Sequence, residues 1–184
     1  MMKKALLLTI LCTIGGHVLA QKYFTRNGKV VFESDAPIER IEAVNNKALC
    51  VWDSETGAVE MAILIKSFNF EKALMEEHFN ENYMESEKFP KAIFKGHVIN
   101  MSSIDLTKDG AYTGEIEGDL TMHGVTQSII LNTNISVENG EVKAITSFEI
   151  AVADYDIKIP KIVRDNIAKT VQIVVDLDLK LLDK

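Results

Sequence analysis

GEIEGDLTMHGVTQSIILNTNI, residues Gly114 to Ile135, is two alternating runs around a compact turn. In the first run Ile116, Gly118, Leu120 and Met122 share one face, while Glu115, Glu117 and Asp119 share the other. In the second, Ile129, Leu131, Thr133 and Ile135 fall together, opposite Asn132, Asn134 and Ser136. Period-two alternation of this length makes strands with one dry face and one wet face. The turn, His123-Gly124-Val125, contains a glycine free to take positive φ. The stretch therefore predicts a long antiparallel hairpin.

The same pattern continues outward. Downstream, Glu138-Asn139-Gly140 turns into Glu141 to Val152, where Val142, Ala144, Thr146, Phe148, Ile150 and Val152 face one way. The last strand, Thr170 to Leu181, sets Val171, Ile173, Val175, Leu177, Leu179 and Leu181 against Gln172, Asp176, Asp178 and Lys180. Between these two, Asp154 to Ile167 is irregular, with a short helical turn expected around Ile162 to Ile167. Upstream, Ala92 to Met101 aligns Phe94, Gly96 and Val98, and Lys108-Asp109-Gly110 turns it into the central hairpin. Ala48 to Asp53 and Ala58 to Lys66 form another hairpin, with Val59, Met61, Ile63 and Ile65 on one face. Lys22 to Thr25 and Lys29 to Ser34 read as a strand, or a strand pair, broken at Asn27-Gly28. Ile38 to Val44 is a weaker strand closed by Asn45-Asn46. The period changes once, where Asn69 is placed to cap a helix from Phe70 to Asn82.

These arms make a mainly β chain of about eight antiparallel strands with one amphipathic helix. Strands of about ten residues span roughly 33 Å and must bury their apolar faces by stacking as a sandwich or closing as a barrel. The last strand is one-sided along its whole length, which favours the barrel. About eight strands enclose either packed side chains or one small ligand, as lipocalins do. Alternation alone does not separate a filled barrel from a hollow one.

The chain has 184 residues, room for a single domain with a real core. A net charge of −7 with no basic stripe argues against nucleic acid as a partner. Lys3-Lys4, the apolar run Ala5 to Ile14 and the exit Val18-Leu19-Ala20 read as a signal peptide over residues 1–20, cleaved before Gln21. Residues 21–184 then form the mature domain, periplasmic or secreted. Leu11 before Cys12 argues against lipid attachment there. The mature chain keeps one cysteine, Cys50, among apolar neighbours, which reads as a buried structural thiol.

No catalytic constellation emerges. His78, His97 and His123 lack further ligands at metal spacing, and no nucleophile elbow, phosphate loop or HExxH run is present. His123 is expected to bond nearby backbone, and His78 to pack partly buried on the helix, with a place facing the mouth of a hollow barrel as the alternative. Asp154 and Asp156 read as solvated loop acids. An integral outer-membrane barrel would turn its apolar face outward, against a polar lumen and with aromatic girdles. The Glu115-Glu117-Asp119 face and a 7% aromatic content oppose that.

Gly118 to Leu131, GDLTMHGVTQSIIL, resembles the signature hairpin of the YceI family of exported bacterial lipid-binding proteins. The resemblance extends through Glu77-His78-Phe79 and Phe89-Pro90-Lys91-Ala92-Ile93-Phe94-Lys95, and covers about Lys22 to Leu181. It implies a lipocalin-like antiparallel barrel holding a polyisoprenoid or similar long amphiphile, with no enzymatic activity and no cofactor. Two departures bear on the ligand. Met75-Glu76-Glu77 stands where the family often has Arg-Asp, and Val152-Ala153-Asp154-Tyr155-Asp156 where many members carry Arg and Phe-Gly.

The implied cavity lining is Met61, Ile63, Ile65, Phe94, Val98, Ile116, Leu120, Leu131, Ile135, Phe148, Ile150, Val171, Ile173 and Val175. The partner expected is a long-chain isoprenoid or other amphiphilic lipid, with no nucleic acid and no integral membrane role; a homodimer is left open. The competing reading fills the barrel with these same side chains and makes it a non-catalytic stress-related or protein-interaction module.

Overall fold

The computed structural model describes residues 21–161 and 166–182. The expected signal peptide lies outside the described residues, as does most of the helical turn expected at Ile162 to Ile167. Nine strands run in the order β1 (Lys22–Asp35), β2 (Arg40–Asp53), β3 (Ala58–Leu64), β4 (Asn69–Phe70), β5 (Lys91–Val98), β6 (Gly110–Met122), β7 (Val125–Glu138), β8 (Glu141–Ala151) and β9 (Thr170–Leu181). Neighbours pair antiparallel in the order β1-β9-β8-β7-β6-β5-β3-β2, and β1 also pairs with β2. Eight strands thus close into a barrel, and the two-residue β4 adds onto β2.

Closure follows from the alternation. Across β8 and β9 the inward pairs are Val142 with Leu179, Ala144 with Leu177, Thr146 with Val175, Phe148 with Ile173 and Ile150 with Val171. Glu117, Lys143 and Asp178 stand on the outward face, so the barrel turns charge to water and hydrocarbon inward. Among the described residues no helix is long and apolar enough to cross a membrane.

The central hairpin is tighter than its sequence suggests. Met122 pairs directly with Val125, leaving His123 (φ 52°) and Gly124 (φ 78°) as a two-residue turn with both φ positive. That is the primed geometry matching strand twist. At Gly124 a Cβ would also lie 2.6 Å from the Phe89 ring.

Three expectations are corrected. Asn27-Gly28 does not split the first strand: β1 is continuous, with register shifts between Thr25 and Gly28 and between Gly28 and Val30. Nor does Asn45-Asn46 end a strand, since β2 runs straight through it. Asn45 is fully buried, donates from Nδ2 to the Leu64 carbonyl and accepts from the Lys47 N–H at 2.8 Å. This side chain stabilises a bulge where a turn was expected.

The helix differs most. Asn69 and Phe70 form β4 against Val44 and Ala43, and the Asn69 amide donates to the Val44 and Ser67 carbonyls. α1 is only Ala73–His78, continuing into a wider π-type turn over Phe79–Tyr83. Leu74 and His78 face water, while Met75 and Phe79 face inward. Phe70 and Phe79 pack with centroids 4.9 Å apart, so strand and helix hold one aromatic cluster between them.

The barrel has two unlike ends. The turn end carries the short β2–β3 and β7–β8 turns and the loop 99–109. There Tyr23, Ile104, Leu106, Val137, Val142 and Leu179 are buried. The helix end carries residues 36–39, the 65–90 connection containing α1, the His123-Gly124 turn and the segment leading from β8 to β9.

Candidate functional site: an apolar cavity open at the helix end

Inside the barrel lies a cavity of about 360 Å³. On β9 its lining positions run from Val171 to Leu179, eight residue steps, or roughly 26 Å along the strand. With the tilt usual for a barrel strand this is about 20 Å along the axis. All fourteen residues expected from the sequence line it: Met61 and Ile63 on β3 and Ile65 just after it; Phe94 and Val98 on β5; Ile116 and Leu120 on β6; Leu131 and Ile135 on β7; Phe148 and Ile150 on β8; and Val171, Ile173 and Val175 on β9.

The hollow is made by small residues on one wall. Gly96 and Gly118 are cross-strand partners. A Cβ on Gly118 would lie 2.5 Å from the Lys95 carbonyl oxygen and 2.7 Å from the Phe94 ring. The ring therefore lies over the glycine pair instead of projecting across the lumen. Ala92 and Ala144 keep further wall positions short.

Residues from the loop 99–109 and the β2–β3 and β7–β8 turns do not line the cavity, whereas those at the helix end do. The opening lies among Glu39, Ile41, Met75, His78, Ile159 and Asn166. Its rim is polar. Lys72 Nζ donates to Glu39 Oε1 at 2.9 Å. This bond holds the Glu39 carboxyl below the usual carboxylate range, with a smaller contribution from Asn166, and raises Lys72 in turn. His78 is exposed at this mouth, the alternative to the packed role expected for it.

Just inside the rim sit Phe32, Phe68, Phe70 and Phe79. Phe32 stacks on Phe79 at 5.6 Å, and Phe68 meets Phe79 edge-on at 5.7 Å. Aromatic faces at these separations attract beyond simple area burial. The sequence reading missed this cluster because its members come from β1, β4, the 65–90 connection and the turn after α1. It also missed Trp52, Cys50 and Thr133, all of which line the cavity. Alternation along β2 and β7 held the signal for all three.

His123 braces the helix end from the side. Its Nδ1 lies 2.9 Å from the Tyr155 carbonyl oxygen and its Nε2 lies 2.9 Å from Glu85 Oε2. Phe89 meets the imidazole edge-on at 4.7 Å. The backbone partner was expected, but it stands 32 residues away, and the carboxylate partner is an addition. Asp154 and Asp156 are exposed, with Asp156 at φ 54° closing the short helical turn that ends at Tyr155.

Chemically the described lining is suited to holding hydrocarbon. Among the described residues no cluster of His, Cys, Asp and Glu is suited to a metal ion. Burial pushes the Cys50 thiol up to about 12, so at neutral pH it is a protonated, unreactive wall residue.

Known proteins of the same shape are at hand. The fold superposes on a polyisoprenoid binding domain from Saccharophagus degradans with a TM-score of 0.78 at 14% identity, over 89% of this chain and 99% of that one. BcnA of Burkholderia cenocepacia gives 0.66 at 16% identity, over 83% and 94%. A Campylobacter jejuni YCEI protein gives 0.52 at 17%, over 75% and 81%. No curated protein sequence matches. A family model described as the YceI-like domain matches residues 24–179, from within β1 to within β9. With the match spanning every strand of the barrel, this chain belongs to the YceI-like family.

Proposed function

We propose that this protein is an exported binding or carrier protein that holds a polyisoprenoid or similar long amphiphilic lipid in its barrel. The observation that carries the reading is the cavity itself: a tube about 20 Å long, apolar on almost every side, with a polar-rimmed mouth among the described residues of the helix end. A dry tube of this kind needs no catalytic group. Each 100 Å² of ligand hydrocarbon taken from water contributes about 2.5 kcal/mol before the losses of association. Family membership supports the ligand class, since a relative of the same fold is described as a polyisoprenoid binding domain. Export is supported by the lysine pair, apolar run and small-residue exit within residues 1–20. A non-enzymatic role fits the inert lining.

The test is native mass spectrometry of protein recovered from its own compartment, followed by solvent extraction. A co-purifying species of isoprenoid or long-chain mass is expected. Leu131→Trp, which fills the lumen, should abolish it, and Ile130→Trp, on the adjacent exposed position, should not. A clean apo mass with no uptake of added isoprenoid quinone or fatty acyl amphiphile would leave the stress or interaction module as the better account.

A further inference from the structure

At the inner part of the cavity the lining stops being purely hydrocarbon. Trp52 and Thr133 both line it and are each 3% exposed. The Trp52 indole nitrogen and the Thr133 hydroxyl have no hydrogen-bond partner among the described residues. The neighbouring Thr146 behaves differently, since its hydroxyl donates to the Asn132 carbonyl at 3.0 Å. Buried polar groups are ordinarily paired, and an indole N–H can only donate.

The register places the two groups at one depth. From Trp52, cross-strand pairs run through Val59, Gly96 and Gly118 to Ile129 on β7. In the other direction they run through Tyr23 to Leu181, two residues past the Leu179–Val142 pair, and so reach the β7–β8 turn. Barrel strands tilt, so the residue of β7 level with Trp52 lies midway between those two landing points. Thr133 stands there, on the opposite wall.

We propose that Trp52 Nε1 and the Thr133 hydroxyl form a hydrogen-bonding subsite for an uncharged acceptor oxygen, so that the lipid enters oxygen end first. This rests on the lipid-binding reading and adds orientation and head-group class to it. The oxygen is uncharged because, among the described residues, the charged side chain on the lining, Glu39, belongs to the rim, and an anion left deep in hydrocarbon without a cation is strongly disfavoured. A quinone or ester carbonyl satisfies the donor; a phosphate head group or a bare hydrocarbon does not. The tail then runs back towards the phenylalanine cluster under the mouth.

Trp52 is the chain's one tryptophan, so its indole N–H gives a single resonance. Delipidated protein is titrated with an isoprenoid quinone and with an isoprenoid hydrocarbon of equal length, both delivered from the same detergent. The quinone should bind about tenfold tighter, move the indole N–H resonance downfield and quench the indole fluorescence. Trp52→Phe should remove that preference without weakening hydrocarbon binding, and Thr133→Val should reduce it. The resonance shift in the unsubstituted protein decides the matter even if a variant fails to fold. Equal affinities with an unmoved indole resonance would overturn the subsite and leave lipid binding standing. Binding of neither probe would overturn both.

Discussion

The two ends of the barrel are built from the same alternating strands, yet one is solid and the other hollow. At the turn end Tyr23, Ile104, Leu106, Val137 and Val142 are buried and none of them lines the cavity. At the helix end equally apolar strands stay apart, and the gap is bridged by a short helix, a two-residue strand and four phenylalanines. What differs is side-chain volume across facing walls and the length of the connections. Tight turns bring neighbouring strands together over a packed floor. The 65–90 connection and the segment after β8 instead arch over the lumen and leave a mouth.

The largest expected effect separates the ends by stability. Ile104→Ala, buried in the solid end and absent from the cavity lining, should lower unfolding free energy by about 3 kcal/mol, because it opens a void that the floor does not refill. Phe148→Ala, half-buried on the cavity wall, should cost about half that or less, because it enlarges a space already present. Urea denaturation of delipidated protein measures both. Equal losses would mean that the lumen is packed like the floor and that the contrast between the ends is false.

Next in size is the brace at the helix end. His123→Ala leaves the Tyr155 carbonyl without its partner and detaches Glu85, and should destabilise by about 2 kcal/mol. The loss should be local: hydrogen exchange ought to quicken in residues 79–90 and 152–157 while β7–β8 turn amides keep their protection. Uniform acceleration along the chain would show that the two ends unfold as one unit.

Cys50 reports whether the hollow is dry. Its thiol faces the cavity, and burial pushes it up to about 12 from an unfolded value near 8.5. A raised folded value means the contribution to stability is intact below about pH 8.5. Above that the unfolded chain loses a proton that the folded chain keeps, so stability declines by about 1.4 kcal/mol per pH unit until the folded thiol also ionises near 12. Cys50→Ala should be free of this component, and the difference between the two denaturation series isolates it from lysine and tyrosine titration. No difference would point to a wet cavity that hydrates the thiolate.

How far this contrast was legible beforehand follows from the range of the forces involved. Which residues face inward is a local matter, because period two fixes the face once one side is dry, and all fourteen expected positions line the lumen. Whether they touch across it is not local. It depends on Gly96 meeting Gly118 and on the Phe94 ring lying over both, a pairing between strands separated by an eleven-residue loop. His123 likewise finds Glu85 and Tyr155 at separations of 38 and 32 residues. The helix was drawn too long because the four-residue spacing from Phe70 to Leu74 and His78 imitates a helical stripe, whereas Phe70 is held by β4 pairing to Ala43. Asn45-Asn46 carries turn chemistry, but Asn45 spends it on a bulge inside β2.

The smallest expected effects come from two exposed ion pairs, one at each end, and they should differ in kind. In the turn-end loop, Asp105 accepts from Lys108 and from the hydroxyl and N–H of Thr107, which lowers its carboxyl to about 2. A depressed folded value stabilises above the ordinary carboxylate range, near pH 4, and that stabilisation disappears as pH falls towards 2. Asp105→Asn should therefore show a slightly lower Tm at pH 7, a difference that shrinks as pH falls from 4 through 2, and a gap that narrows with salt. At the mouth, Glu39 and Lys72 join residues 36–39 to the start of α1. Lys72→Gln should leave the equilibrium transition almost unmoved, because Lys72 is exposed, Glu39 is only half-buried and water screens the pair. It should instead speed lipid exchange, since the pair ties together two segments that must part for a ligand to pass. Stopped-flow transfer of a fluorescent isoprenoid to acceptor vesicles measures that rate, with Asp105→Asn as the matched control at the solid end. If both substitutions change the rate alike, the lipid does not pass through the helix end; if only Lys72→Gln does, the mouth is where it passes.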